Sequence, residues 1–355
     1  MTLILLSLAL LLSFYLLSEV CDKYFVDSLD RISNRLKLSS DVAGATFMAI
    51  GSSAPELFVA IMALLKPGDH AALGMGTIVG SAIFNILVII GVSAVVKKAV
   101  LSWQPVIRDT VFYAVSILML LLAFRDGSIS IVEAITFVAM YVVYIFLVIY
   151  WQKILPYKSK DAEKTIEEIE APKVVKKKSF FRKLTFLFDY ILSKLFPNPK
   201  YFYSVFIISI AIIAGLSWVL VESAVSIATI LNIPAVIIAL TILAVGTSVP
   251  DLISSVIVAK ENRGGMAISN AVGSNIFDIL FGLGVPWLLY MAFTHKTINV
   301  STENLFSSVV LLFATVIVIL FLMISQKWKL GRYSGYFLVF LYLVYLAYSI
   351  YFAYN

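Results

Sequence analysis

The chain has 355 residues, of which 61% are hydrophobic and only 14% charged, with a mean hydropathy of +0.99. A water-soluble domain of that length needs far more polar surface, so these figures exclude an ordinary soluble protein and make the bilayer the solvent. The formal net charge of +6 is read as membrane topology and attraction to anionic lipid rather than as nucleic-acid binding.

Apolar runs long enough to cross a hydrocarbon core of about 30 Å as helices recur along the chain. Ten are read, near residues 2–20, 40–65, 70–96, 105–124, 129–151, 202–222, 233–259, 266–293, 304–325 and 333–353. The first run opens Met1-Thr2-Leu3 with no preceding basic residue, and Glu19 and Asp22 follow. A secretory signal has a basic start and a small-residue cleavage site, so an uncleaved first helix is expected. The absence of a targeting segment favours a plasma (cytoplasmic) membrane.

The second run carries Thr46 to Leu57, including Gly51-Ser52-Ser53-Ala54-Pro55-Glu56, and the third carries Val79-Gly80-Ser81-Ala82-Ile83-Phe84-Asn85. Asp109 and Glu133 sit near the starts of the fourth and fifth runs, where the helix dipole is the plain explanation. A polar stretch at 153–200 follows, with Lys176-Lys177-Lys178 and the acids Glu167, Glu168 and Glu170. It is read as a solvated linker in which Phe180 to Phe196 could lie as an interfacial helix. Glu222 in the sixth run is read as interfacial or hydrogen-bonded, with the ion pathway as the lesser reading. The seventh and eighth runs then repeat the second and third: Gly246-Thr247-Ser248-Val249-Pro250-Asp251, followed by Val272-Gly273-Ser274-Asn275-Ile276-Phe277-Asp278. Trp103, Trp151 and Trp218 read as interfacial anchors.

With the amino terminus outside and ten alternating spans, all of the 27 basic residues except Lys66, Arg125 and Lys296 fall on the inner side. The opposite orientation inverts that asymmetry and violates the positive-inside rule. The expected fold is therefore an all-α membrane protein of ten transmembrane helices, arranged as two inverted five-helix repeats with broken core helices. Residues 1–152 form the first repeat, 153–200 a cytoplasmic linker and 201–355 the second repeat. Because each half holds an odd number of spans, the second enters the membrane from the opposite side, the plan of many secondary transporters.

The chemistry starts from cost. A carboxylate at the centre of a spanning helix costs on the order of 2.5–3.5 kcal/mol, so it needs a cation or a watery cavity. Glu56, Asp251 and Asp278 lie well inside apolar runs, with no Lys or Arg at comparable depth in the same repeat helices. Pro55 and Pro250 lack amide hydrogens, which frees carbonyls one turn back at Gly51, Ser52, Gly246 and Thr247. Ser52 and Ser53 share a helical face with Glu56, and Thr247 and Ser248 share one with Asp251. Ser81 and Asn85 are four apart, as are Ser274 and Asp278, with Asn275 nearby. The set is all oxygen, which suits hard cations such as calcium and sodium. The single Cys21 and two loop histidines, His70 and His295, argue against disulfide, zinc and haem. No cofactor, enzymatic activity or obligate protein partner is expected.

A single Gly-x-x-x-Pro is most simply a packing kink; two copies, each followed by an acid and a Gly-Ser block, are not. These blocks resemble the alpha repeats of the calcium/cation antiporter superfamily, which includes sodium/calcium exchangers. The resemblance implies alternating access, with calcium between Glu56 and Asp251 helped by the carbonyls of Ser52 and Thr247. It places sodium at Ala49, Ser53 and Ser81 on one side and at Ala244, Ser248 and Ser274 on the other, the two acids being shared between the ions. Asn85 and Asp278 would lie at the centre. Asp251 where potassium-independent exchangers carry Glu, together with Asn275, Asp278 and Pro286-Trp287, looks like the potassium-dependent branch, in which Asp278 and Asn275 are tied to potassium. Calcium/proton exchange is the competing reading in the same class. A cation channel and an intramembrane aspartyl protease using Asp251 and Asp278 are remote ones; the protease pattern Gly-x-Gly-Asp is lacking and Glu56 would be idle.

Overall fold

The structure is a computed structural model, and it describes residues 2–35, 51, 53–66, 71–154, 190–260, 264–300 and 303–354. Ala49, Ser52, His70 and most of the linker lie outside the described residues. Helix α1 (Thr2–Val20) runs through a π-helical turn at Cys21–Val26 into α2 (Asp27–Arg35). It outlasts the apolar run because Lys23 pairs with Glu19, and Arg31 pairs with Asp27 at 2.8 Å, each one turn apart. Then come α3 (Ala54–Leu65), α4 (Ala71–Phe84), a π turn at Asn85–Ile89, α5 (Ile90–Val96), α6 (Trp103–Ala123) and α7 (Ile131–Ile154). Glu133 and Ser130 cap α7 reciprocally, with Ser130 N–H and Oγ each donating to Glu133 at 2.7 Å.

The second half opens with α8 (Phe202–Leu231), which continues past the expected end at 222 and stops only at Asn232, in the left-handed conformation at φ 53°. Glu222 does not end it because its carboxylate pairs with Lys66 at the end of α3. The expected run 233–259 is broken into α9 (Ala235–Ile238), a π turn at Ala239–Leu243, α10 (Ala244–Thr247) and α11 (Val249–Lys260). The run 266–293 divides into α12 (Gly264–Leu280) and α13 (Gly284–Thr294); α14 (Glu303–Ser325) and α15 (Arg332–Tyr354) complete the chain.

Among the described residues eight helices are long and apolar enough to cross a membrane, and Ala54–Leu65 and Ala235–Thr247 are shorter apolar helices where the second and seventh runs were expected. Two short ribbons join the halves. Strand β1 (Ala99–Val100) pairs antiparallel with β4 (Lys329–Leu330), and β2 (Ser128–Ile129) pairs with β3 (Ile298–Asn299).

Two apolar cores result. One gathers α4 to α7 with α12 to α15, around Ile78, Phe137, Phe277 and Trp287. The other gathers α1, α3 and α8 around Leu17, Val59, Ile213 and Val221. Where the cores meet, Gly80 of α4 lies so close to the second half that a Cβ there would stand 2.3 Å from the Leu240 carbonyl oxygen and 2.7 Å from the Ala244 Cβ. The absent side chain brings α4 against the broken helix that carries the second acidic motif.

Candidate cation-binding site

At matching residues of the paired motifs a helix begins in the first and is broken in the second. Ser53 (φ −97°, ψ 10°) precedes α3, and Ser248 (φ −89°, ψ 3°) separates α10 from α11. Both sit in the sparsely populated bridge region. Pro55 and Pro250 thereby occupy the first turn of the following helix, where no N–H donor is required. At Ser248 this is the break expected of the core helices. The last carbonyls of α10 are those of a helix terminus, left without intrahelical partners.

Glu56 and Asp251 lie in the first turns of α3 and α11, where the helix dipole favours negative charge. Both are buried, as are Asn85, Asn275 and Asp278. The halves interlock at Glu56. Ser81 of α4 and Ser248 donate to the same carboxylate oxygen, Oε1, at 3.3 and 3.2 Å, and the two hydroxyls lie 2.5 Å apart. Thr247 stands beside Glu56 as well, with its hydroxyl donating back to the Leu243 carbonyl at 3.1 Å.

A second layer lies around Asp278, which is within Coulombic reach of both Glu56 and Asp251 and has Ser53 beside it. Asn85 Nδ2 donates to Asn275 Oδ1 at 2.9 Å. Asn275 Nδ2 donates to the Ala82 carbonyl at 3.1 Å and to the Tyr113 hydroxyl at 3.0 Å. Immediately beyond this layer α4 gives way to the π turn at Asn85–Ile89, a form that recurs at functional sites, and α12 ends in a turn where the amides of Phe281 and Gly282 share the Phe277 carbonyl at 2.8 and 2.9 Å.

Among the buried oxygens that make no hydrogen bond of ordinary geometry among the described residues are Glu56 Oε2, Ser53 Oγ, Asn85 Oδ1 and both oxygens of Asp278. Buried polar atoms are normally satisfied, so a cluster of unsatisfied acceptors is where a hard cation is stabilised. Among the described residues no three His, Cys, Asp or Glu side chains converge on one point. A hard cation held here would need hydroxyl and amide oxygens beside the carboxylates.

Of the residues expected from sequence, the structure brings Glu56, Ser81 and Ser248 into direct contact, Asn85 onto Asn275, and Ser53 and Asp251 near Asp278. Ala244 is buried against Gly80, and Ser274 is buried on α12. Ala49 and Ser52 lie outside the described residues. Sequence reasoning missed Tyr113; the available signal was a tyrosine in mid-span rather than at an interface. It also misread Asp109. That carboxylate is buried at the seventh residue of α6, paired with Arg108 at 2.8 and 3.1 Å and accepting from the Tyr144 hydroxyl at 3.2 Å. A buried ion pair, not the helix dipole, holds it.

Comparison with known proteins follows the same layout. The sequence profile described as "Sodium/calcium exchanger protein" matches residues 6–150 and 201–351, leaving out the whole linker. Sodium/potassium/calcium exchanger 2 of Gallus gallus is 28% identical over 95% of this chain and 75% of its own length. Sodium/potassium/calcium exchanger 4 of Homo sapiens is 29% identical over 98% of this chain and 81% of its own. Among solved structures, the sodium-calcium exchanger NCX_Mj soaked with sodium and strontium superposes with a TM-score of 0.59 at 25% identity, covering 97% of this chain and 98% of that one. The H+/Ca2+ exchanger CAX shares the fold with a TM-score of 0.71 at 15% identity, covering 96% and 82%.

Proposed function

This chain belongs to the sodium/calcium exchanger protein family, and from that premise we propose that it is a sodium/calcium antiporter, coupled also to potassium, working by alternating access at the site between its halves. It is an integral, multi-pass membrane protein. The observation that carries the reading is the convergence of both motifs on Glu56: Ser81 from one half and Ser248 from the other meet a single carboxylate oxygen. A site built from both halves changes shape when the halves move against each other, as alternation between two faces of the membrane requires.

In this reading calcium binds between Glu56 and Asp251, with the Thr247 carbonyl at the helix break and Ser52 as its counterpart. Sodium uses the same acids with Ala49, Ser53, Ser81, Ala244, Ser248 and Ser274, so the two ions compete for shared charge. Asp278 and Asn85 form the central, monovalent-ion part of the site. Two facing carboxylates neutralise one divalent ion or the monovalent ions that replace it, and that exclusivity makes the protein an exchanger rather than a pore. The potassium coupling rests on the Asp251 and Asp278 pattern and on the similarity to sodium/potassium/calcium exchangers. The amino terminus outside and the segment 153–200 in the cytoplasm follow from the distribution of Lys and Arg; a cytoplasmic membrane is the location proposed. The two halves as separate repeats, 1–152 and 201–355, follow from the motif correspondence, with the two ribbons that join the halves in support.

The test is uptake of radiolabelled calcium into vesicles holding the purified chain, driven by an outward sodium gradient at clamped pH, with and without potassium. Accumulation that follows sodium and rises with potassium is expected. Accumulation that ignores sodium and collapses with a pH gradient would establish calcium/proton exchange instead.

A further inference from the structure

The amides around Asp278 can point in only one way. The Ala82 carbonyl is an acceptor with nothing to donate, so the atom of Asn275 that meets it at 3.1 Å must be the amide nitrogen. The Asn275 oxygen is thereby turned toward Asn85, where it needs a donor, and at 2.9 Å it receives the Asn85 amide nitrogen. The second N–H of Asn275 is used as well, at 3.0 Å on the Tyr113 hydroxyl. One backbone carbonyl therefore determines, link by link, which end of Asn85 is left over. That end is the oxygen, which is buried and makes no hydrogen bond among the described residues.

Asn275 is occupied on three sides, whereas Asn85 ends in an unsatisfied acceptor. Tyr113 is within Coulombic reach of Asp278, which places the whole chain of bonds beside that carboxylate. We propose that Asn275 is a positioning residue, not an ion ligand: held by the Ala82 carbonyl and the Tyr113 hydroxyl, it turns the Asn85 amide so that its oxygen, and not its NH2 group, is presented to the cation. The inference rests on the cation-site reading above, but it assigns the ligand to Asn85 and gives Tyr113 a role. A reversed Asn85 amide would offer two N–H dipoles to a positive ion, and the site would lose a ligand and gain a repulsion. The bond to the Asn275 oxygen prevents that reversal.

The experiment is a set of double-mutant cycles on the full chain purified in detergent. Binding is read as the rise in melting temperature on titration with calcium and, separately, with potassium. Asn275→Ala is expected to weaken potassium binding roughly 10-fold, the scale of one coupling within a shared network, because Asn85 belongs to the monovalent-ion part of the site. Tyr113→Phe weakens it less, because the Ala82 carbonyl still holds the amide. Asn275→Asp weakens it too, since a carboxylate oxygen would face the Ala82 carbonyl oxygen. In an Asn85→Ala background, and equally in Asn85→Ser should the alanine variant bind too weakly to titrate, Asn275→Ala and Tyr113→Phe lose their effect. Melting temperatures measured without ions separate this from simple loss of folding.

Three results overturn the proposal: additive losses in the Asn85 background, a shift in potassium binding there on removing Asn275, or tighter cation binding by Asn275→Asp. Each marks Asn275 as a direct ligand. Failure of the underlying exchanger reading shows separately, as wild-type vesicles that take up no calcium on a sodium gradient.

Discussion

Ser248 donates a hydrogen bond to the Glu56 carboxylate at 3.2 Å across 192 residues of sequence. The donor stands at the break in one motif and the acceptor one turn past the break in the other. Neither motif is complete alone, because each supplies a hydroxyl or an acid to a shell whose remaining oxygens come from its counterpart. The energetics of that shared shell give the following predictions.

Glu56→Gln and Asp251→Asn each abolish calcium transport. Removing one charged partner from a buried ionic site costs about 3–5 kcal/mol, and a divalent ion is then undercompensated. Sodium-driven calcium uptake by vesicles is the measurement; wild-type rates in either variant would refute the assigned roles.

Ser81→Ala and Ser248→Ala each weaken calcium binding without abolishing it. A hydrogen bond to a charged group contributes about 1.5–3 kcal/mol. The two hydroxyls also lie 2.5 Å apart, so the double variant is expected to lose less than the sum of the single losses. Calcium titration of the four proteins decides this, and strict additivity would show that the serines act separately.

Asp278→Asn changes the dependence on monovalent ions while calcium transport is partly kept. Asp278 lies within Coulombic reach of Glu56 and Asp251, yet it occupies the second layer, away from the Ser81–Ser248 contact. Uptake at varied potassium and sodium reads the effect. Complete loss of calcium binding would move Asp278 into the calcium shell.

Gly80→Ala lowers stability by about 1–3 kcal/mol, the usual cost of overpacking. The added methyl would stand 2.3 Å from a backbone oxygen, which no rotamer change relieves, so α4 must move away from the Leu240 turn. A lower melting temperature together with weaker calcium binding is expected, since the shift carries Ser81 with it. An unchanged melting temperature would mean that the helices separate freely at this point.

The motifs were legible because each has an unmistakable chemical cost. Acids within apolar runs, next to Pro and Gly and repeated in the second half, have few uses besides cation binding. The helix limits were less legible. Hydropathy stopped the sixth run at Glu222, yet α8 continues to Leu231 because Lys66, far away in sequence, neutralises that acid. Asp109 was misassigned although its partner Arg108 is its neighbour in sequence, because only the tertiary fold shows that the pair is buried and joined by Tyr144. Tyr113 was missed because its role exists only through Asn275, which belongs to the other half.

The amino-acid sequence by itself determined that the chain lives in a bilayer, that its two halves repeat, and which oxygen-bearing residues must find compensation there. Those properties follow from composition and local covalent chemistry: side-chain polarity, the missing donor of proline and the spacing of residues on a helix. Only the tertiary structure decided which oxygens are already satisfied and which remain for an ion. Hydrogen bonds such as Ser248 to Glu56 and Asn85 to Asn275 join residues brought together by the close approach at Gly80, and an amide's orientation depends on every acceptor around it.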